Sequence, residues 1–226
     1  MVKYKIILFD LDGTLSDPKI GITKSVQYAL QKMGIIETDL NKLVCFIGPP
    51  LQTSFAENYN FNIENTKIAI DFYRERFKEK GMFENNLYPS IPTLLKSLKE
   101  LGFTLVVATS KPTVFSEQIL NYFNIDEYFD LVVGSNLDGT RAAKTEIIQY
   151  ILDQYDEHEL EDFIMIGDRE HDIIGANNNG IDSIGVAYGY GTSQELSHSN
   201  PTYMVKSVEQ LKEILMEPSK KEITNF

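Results

Sequence analysis

The sequence lacks several features that would place it in other large protein classes. Its 226 residues include one cysteine, Cys45, so no disulfide can form within the chain. This suits a reducing compartment. We expect Cys45 to be a small apolar filler beside Val44 and Phe46 rather than a catalytic thiol.

Basic residues are outnumbered by acidic ones. The chain carries 21 Lys and Arg against 33 Asp and Glu, which gives a net charge of −12. Broad binding to nucleic acid or to anionic membranes requires a basic surface, so we expect neither as a partner. An anionic substrate is still compatible with this charge, because a few local cations can dominate a site.

Long apolar runs are also missing. None approaches the ~20 residues of a membrane span, and Asp10 interrupts an N-terminal run that is too short for a signal peptide. A hydrophobic fraction of 42% is ordinary for a globular protein. We therefore expect a cytoplasmic protein with a sizeable core, present as a monomer or a weak homodimer.

The most informative segment is the first apolar run and its exit. Residues 6–9 read as a buried strand and lead directly into Asp10-Leu11-Asp12-Gly13. Alternate side chains of an extended chain point the same way, so Asp10 and Asp12 begin on one side. Neighbouring carboxylates repel unless a cation lies between them or one is protonated. The pair therefore suggests a divalent-metal site at a strand end.

A simpler alternative is that this segment is a turn, with Asp10 or Asp12 capping the next helix. It is not an EF-hand loop, which needs a further Asp or Asn before the glycine and a later Glu. The choice depends on the rest of the chain.

Residues 16–84 read as mostly helical. Apolar periodicity predicts helices over about 22–33 and 64–80, the second with Ile68, Phe72, Tyr73 and Phe77 directed inward. From residue 88 onward helices and strands alternate. The predicted strands are 103–109, 131–133, 163–166 and 183–186; the predicted helices are about 89–101, 113–123, 142–154, 171–178 and 208–216.

This order predicts an α/β fold, a doubly wound parallel sheet with a Rossmann-like core and helices on both faces. The helical block follows the first strand, which places it over the strand ends as a lid or cap. The predicted division is a core of residues 1–15 and 85–226 with a cap of residues 16–84. The Lys- and Glu-rich residues after Met216 are expected to be loose.

Polar residues follow two further strands. Thr109-Ser110-Lys111 follows the strand at 103–109, where a hydroxyl and the N–H groups of the next helix could bind a phosphate. Asp168 and Asp172 follow the strand at 163–166. The alternatives are that Ser110 and Asp168 cap the helices that begin there.

Lys144 stands at the start of a predicted helix. A lysine there opposes the helix dipole unless an anion lies nearby. Asp10, Asp168 and a bound phosphate would supply such anions. The alternative is a solvated surface lysine.

Four segments in chain order resemble the four motifs of the haloacid-dehalogenase-like hydrolases: Asp10-x-Asp12-Gly13-Thr14-Leu15, Thr109-Ser110, Lys144 and Gly167-Asp168-x-x-x-Asp172. The helical insert resembles that family's α-helical cap. Residues 134–144 and 187–191 are similar to its phosphoglycolate-phosphatase branch.

This resemblance implies a Mg²⁺-dependent phosphatase that acts on small phosphorylated metabolites through an aspartyl-phosphate. It implies that Asp10 is the nucleophile and that Asp12 serves as acid and then as base. Mg²⁺ would be bound by Asp10, by the backbone carbonyl of Asp12 and by Asp168. The implied substrate-binding residues are Ser110, Lys111 and Lys144, with Asp172, Gly13 and Thr109 in support.

Other functions fit the same resemblance. A nucleotide 5′-phosphatase, a β-phosphoglucomutase-like phosphomutase and a non-catalytic binding domain all remain open. Asp12 favours phosphate over halide chemistry, since a halide leaving group needs no proton. Residues 48–51 are either a specificity loop or a plain turn between helices, and the charged residues 74–79 are expected to form a solvated face.

Overall fold

The computed structural model describes residues 3–216. The strands are β1 (Ile6–Phe9), β2 (Ser16–Asp17), β3 (Asn86–Leu87), β4 (Thr104–Pro112), β5 (Leu131–Ser135), β6 (Phe163–Gly167), β7 (Asp182–Val186) and β8 (Tyr203–Val205). The helices are α1 (Lys19–Lys32), α2 (Leu51–Tyr59), α3 (Ile63–Glu79), α4 (Ile91–Glu100), α5 (Thr113–Tyr122), α6 (Lys144–Gln154), α7 (Glu170–Asn178), α8 (Ser193–His198) and α9 (Val208–Met216). The Lys- and Glu-rich residues after Met216, expected to be loose, lie outside the described residues.

Six strands form one sheet in the order β5-β4-β1-β6-β7-β8, and every neighbouring pair is parallel. The chain winds from β1 outward to β5 and then crosses back to β6, so the winding direction reverses between β1 and β6. In open α/β sheets ligands bind at the carboxyl ends of the strands at such a reversal. The doubly wound parallel sheet that the sequence predicts is confirmed.

The core occupies both faces of this sheet. Ile7 and Phe9 belong to the apolar cluster on one face, and Ile6 and Leu8 belong to the cluster on the other. All four side chains are fully buried. This explains why β1 is apolar at every position instead of alternating, since a parallel sheet is covered on both sides.

The helical segment between β1 and β4 leaves and re-enters through a narrow ribbon. Here β2 pairs with β3 in antiparallel fashion, with Ser16 opposite Leu87 and Asp17 opposite Asn86. The helices α1, α2 and α3 lie between β2 and β3 along the chain.

Among residues 3–216, no helix has both the length and the apolar character needed to cross a membrane.

Several local predictions were wrong. Ile68, expected to point inward, is 39% exposed. Tyr73 and Phe77 are buried as predicted, and α3 also buries Thr66, Ala69 and Ile70. Cys45, expected to be a filler, is exposed. The sequence did not predict α2, α8 or β8, which are short elements with few buried apolar positions.

Candidate active site

Asp10 and Asp12 lie at the carboxyl end of β1. The Asp10 N–H donates to the Ile166 carbonyl at 2.9 Å, which continues the sheet by one residue before the chain turns. Gly13 then adopts φ +91°, a conformation that favours glycine. Neither carboxylate caps α1, because its N-cap is Pro18 and no side chain caps it. The capping alternative is therefore wrong, and both carboxylates are buried, at 4% and 6% exposure.

Lys144 is the first residue of α6 and is 6% exposed, so the alternative of a solvated lysine is wrong. Its Nζ lies 2.7 Å from Asp10 Oδ1 and 2.7 Å from Asp172 Oδ1, and it donates to the Ala108 carbonyl at 2.6 Å. Burial alone would lower the pKa of Lys144, but the two carboxylates outweigh it and raise the pKa. The ammonium therefore stays charged at neutral pH.

Asp12 faces a different cation. Its Oδ2 lies 2.5 Å from Lys111 Nζ, which also sits 4.8 Å from the centre of the Phe77 ring on α3. Burial raises the pKa of Asp12, and the opposing charge of Lys111 offsets this only in part. A raised pKa suits a group that must donate a proton near neutral pH.

Asp168 follows β6 and is fully buried. Its Oδ2 accepts a hydrogen bond from the Tyr190 N–H at 2.7 Å. Burial, together with the charges of Asp10 and Asp172, raises the pKa of Asp168 well above its usual range. It does not cap α7, as the alternative supposed: the N-cap is Arg169, whose N–H donates to Asp172 Oδ2 at 3.1 Å.

The three aspartates Asp10, Asp168 and Asp172 each place a carboxylate oxygen within 4.8 Å of the others. With Asp12, the site holds four buried carboxylates against the two ammonium groups of Lys111 and Lys144. The excess of two negative charges is what a bound divalent cation would offset, and carboxylate oxygens are the ligands that Mg²⁺ prefers. The buried acidic cluster could therefore hold a metal ion.

The metal set implied by the sequence was Asp10, Asp12 and Asp168. The Asp12 side chain is turned toward Lys111 and is not part of the carboxylate cluster, whereas Asp172 is. One oxygen of Asp12, Oδ1, is buried and has no hydrogen-bond partner within residues 3–216.

The end of β4 is irregular. Ala108 lies opposite Val133 and Pro112 opposite Ser135, so four residues of β4 span the length of two on β5. Such a bulge redirects side chains at a sheet edge. It turns residues 109–111, including Ser110, toward the cavity described below. The N-cap of α5 is Pro112 and no side chain caps that helix, so the alternative role for Ser110 is wrong.

A cavity of about 60 Å³ lies between these strand ends and the inserted helices. Residues 48–51 line it, which places the predicted specificity loop at the site. The rest of that wall is largely apolar, as at Tyr73 and Phe77, except for Arg74. The charged residues of 74–79 were expected to be mostly a solvated face, and Glu75, Lys78 and Glu79 are exposed. Arg74 is an exception, because it lines the cavity.

Arg169 is a second residue that the sequence did not single out. Its Nη1 donates to the Ile47 carbonyl at 2.6 Å, and its Nε donates to Glu195 Oε1 at 2.7 Å. The side chain thus joins the end of β6 to the loop of the inserted segment and to α8.

Comparison with known proteins places this architecture in a family. Residues 7–186 match the family model described as haloacid dehalogenase-like hydrolase. The chain is 47% identical to a 5′-nucleotidase from Pseudomonas aeruginosa, over 95% of this chain and 96% of that protein. It is 28% identical to a phosphoglycolate phosphatase from Vibrio vulnificus, over 94% and 96%.

A solved structure of a predicted phosphatase from Clostridium acetobutylicum superimposes with a TM-score of 0.91 at 54% identity, and the match covers 93% of this chain and 97% of that one. The resemblance to the phosphoglycolate-phosphatase-like branch is confirmed by these relatives. The chain belongs to the haloacid dehalogenase-like hydrolases.

Proposed function

We propose that this phosphoric monoester hydrolase is Mg²⁺-dependent and acts on small phosphorylated metabolites through a phosphate ester of Asp10. An Asp10 carboxylate oxygen attacks phosphorus, and the bond from phosphorus to the substrate oxygen breaks. Asp12 gives its proton to that leaving oxygen. In the second half, Asp12 takes a proton from the water that hydrolyses the aspartyl-phosphate.

One observation carries this proposal: two buried carboxylates at one strand end have different surroundings. Asp10 is held by Lys144 at 2.7 Å, while Asp12 has a raised pKa despite its contact with Lys111. Carboxylates whose environments differ in this way take different roles as nucleophile and as acid.

The other polar groups have supporting roles in the proposal. Ser110 and Lys144 bind oxygens of the transferring phosphoryl group, and Lys111 lies beside them on the bulge of β4. Asp172 positions Lys144 through its 2.7 Å contact. Thr109 accepts a hydrogen bond from the Lys111 N–H at 3.3 Å and so shapes the bulge.

Mg²⁺ fits the acidic cluster, with Asp10, Asp168 and the backbone carbonyl of Asp12 as its ligands. Gly13 and Gly189 form a close cradle around Asp168: a Cβ on Gly13 would come 2.2 Å from Asp168 Oδ2, and one on Gly189 would come 2.3 Å from Asp168 Cβ. The carboxylate is thereby fixed in place. The metal would offset negative charge at the transferring phosphoryl group.

In the same proposal, residues 16–84 are a cap over a core of residues 1–15 and 85–226. The cavity between them excludes bulk water when the cap is closed, which protects the aspartyl-phosphate from premature side reactions. The first candidate substrate is phosphoglycolate, the substrate named for a relative that is 28% identical. A nucleotide is the second candidate, favoured by the 47% identity to a 5′-nucleotidase.

The test is phosphate release from phosphoglycolate, sugar phosphates and nucleoside 5′-monophosphates, each with Mg²⁺ and with EDTA. We expect release with Mg²⁺ only. Asp10→Asn is expected to lower kcat more than about 1,000-fold, because the nucleophile is lost, while the thermal melting curve stays close to that of the wild type.

Asp71→Asn, at an exposed position on α3, is the matched control and should retain full activity. Full activity of Asp10→Asn would refute the nucleophile assignment. No release from any substrate by folded wild-type protein would refute the phosphatase proposal.

A further inference from the structure

The inserted helices contribute a single positive charge to the cavity lining, at Arg74 of α3. Its neighbours on that wall, Tyr73 and Phe77, are apolar or aromatic. The Nε of Arg74 is buried and has no hydrogen-bond partner within residues 3–216. By contrast, Arg76 lies 2.8 Å from Glu84 and Arg169 lies 2.7 Å from Glu195.

A buried guanidinium N–H without a partner is unfavourable, because its hydration is lost and nothing replaces it. The planar guanidinium matches the paired oxygens of a carboxylate or a phosphate, with two parallel hydrogen bonds. The surroundings of Arg74 therefore favour an oxyanion arriving from outside the protein.

This oxyanion is not the reacting phosphoryl group. That group lies against the strand ends, where Ser110 and Lys144 are its proposed partners. Arg74 belongs to the wall of the cavity that the inserted helices form. A ligand group at Arg74 is thus a different part of the substrate from the reacting phosphate, and both groups face the same cavity.

We infer that Arg74 determines substrate specificity by binding a second oxyanion, a carboxylate or a second phosphate, placed a few atoms from the phosphate ester. The inference rests on the proposed phosphatase function and narrows its substrate class to compact phosphate esters that carry a second anionic group.

The experiment compares kcat/KM for phosphoglycolate, ethylene glycol bisphosphate, ethyl phosphate and adenosine 5′-monophosphate. The first three carry a two-carbon chain on the ester oxygen. That chain ends in a carboxylate in phosphoglycolate, in a second phosphate in ethylene glycol bisphosphate and in a methyl group in ethyl phosphate. We expect at least one of the two esters with a second anionic group, phosphoglycolate or ethylene glycol bisphosphate, to be preferred over ethyl phosphate. The ester that is preferred shows whether Arg74 binds a carboxylate or a second phosphate.

Arg74→Met should lower the preference for that ester over ethyl phosphate by about 10- to 100-fold, the range for losing hydrogen bonds to a charged group. The preference of Arg74→Lys should lie between those of the wild type and Arg74→Met, because lysine keeps the charge but lacks the planar pair of donors. Lys78→Met is the control, since it removes one positive charge from an exposed position of the same helix. It should keep the wild-type preference.

An unchanged preference in Arg74→Met would overturn the inference and leave the phosphatase proposal standing. So would a wild-type enzyme that favours adenosine 5′-monophosphate and retains that activity in Arg74→Met. Absence of hydrolysis of all four esters by folded wild-type protein would overturn both proposals together.

Discussion

Gly189 shows how little space surrounds the Asp168 carboxylate. A Cβ at this position would lie 2.3 Å from Asp168 Cβ and 2.4 Å from the Gly13 carbonyl oxygen. Because the second contact is with backbone, Gly189→Ala should displace the loop and Asp168 with it. We expect a loss of about 1–3 kcal/mol in the free energy of unfolding and a rise in the Mg²⁺ concentration needed for half-maximal activity.

Gly185→Ala on β7 is the matched control. Its nearest contact would be an ordinary 3.5 Å to Leu196, so both quantities should stay near their wild-type values. Denaturant unfolding and a Mg²⁺ titration of activity measure the two effects. If Gly189→Ala needed the same Mg²⁺ concentration as the wild type for half-maximal activity, the proposal that Gly189 fixes Asp168 for metal binding would be refuted.

Much of the candidate site could be predicted at the scale of residues. Asp10, Asp168 and Lys144 come together because the carboxyl ends of parallel strands meet at one edge of a sheet. The contact between Lys111 and Asp12 could not be predicted, because it depends on a bulge in β4 that the strand pattern does not reveal. The direction of Arg74 depends on how α3 packs, which a run of alternating charges leaves undetermined.

At the scale of elements, Arg169 links the end of β6 to the loop that begins at Ile47. Its hydrogen bond to the Ile47 carbonyl is 2.6 Å long, and Glu195 holds the same guanidinium. Arg169→Met should free this loop, so we expect faster amide hydrogen exchange at residues 46–51. KM should rise by more than kcat falls, because the loop lines the cavity.

Lys206→Met is the control, because it also removes one positive charge, at an exposed position outside residues 16–84. Hydrogen-exchange mass spectrometry and steady-state kinetics are the measurements. Unchanged exchange at residues 46–51 in Arg169→Met would contradict the proposed link.

Glu84 joins the start of the cap to its end. Its carboxylate pairs with Arg76 at 2.8 Å and with Lys24 at 3.4 Å, and the Arg76 hydrogen bond holds the Glu84 pKa below its usual range. A lowered folded-state pKa contributes stability above the unfolded-state pKa, and this contribution is lost as the pH falls through the folded-state value.

Glu84→Gln should therefore lower the free energy of unfolding by up to about 1 kcal/mol at pH 7, a modest effect because the pair is partly solvated. The difference from the wild type should shrink as the pH falls below about 4.3, the ordinary value for glutamate. Urea unfolding at several pH values tests this. A difference that grows toward acid pH would show that the sign is wrong.

Long periodic elements were predicted well, and short ones were not. The helix α1 follows from its apolar periodicity and the stop at Gly34, and the strand β1 from a continuous apolar run that ends before Gly13. The phase of α3 was wrong at Ile68, because the helix buries Thr66 and Ala69, which hydrophobicity alone does not select. The strand β8 has three residues and only one buried position, which is too short for an alternating or continuous apolar pattern to be recognised.

For the whole molecule, charge is the property with the widest consequence. At a net charge of −12, the chain as a whole repels polyanions. We expect no detectable binding to duplex DNA in about 50 mM salt, where even weak non-specific complexes are favoured. Sedimentation of the protein with and without a labelled duplex measures this, and a complex that dissociates with rising salt would contradict it.

The ribbon of β2 and β3 has a consequence for how such a protein can change. Ser16 and Leu87 face each other, so the chain departs from the sheet and returns to it at adjacent points. The length of chain between those points is therefore not fixed by the sheet, because the ribbon already closes it. The reacting strand ends and the segment that we propose selects the substrate can thus change in sequence independently of each other.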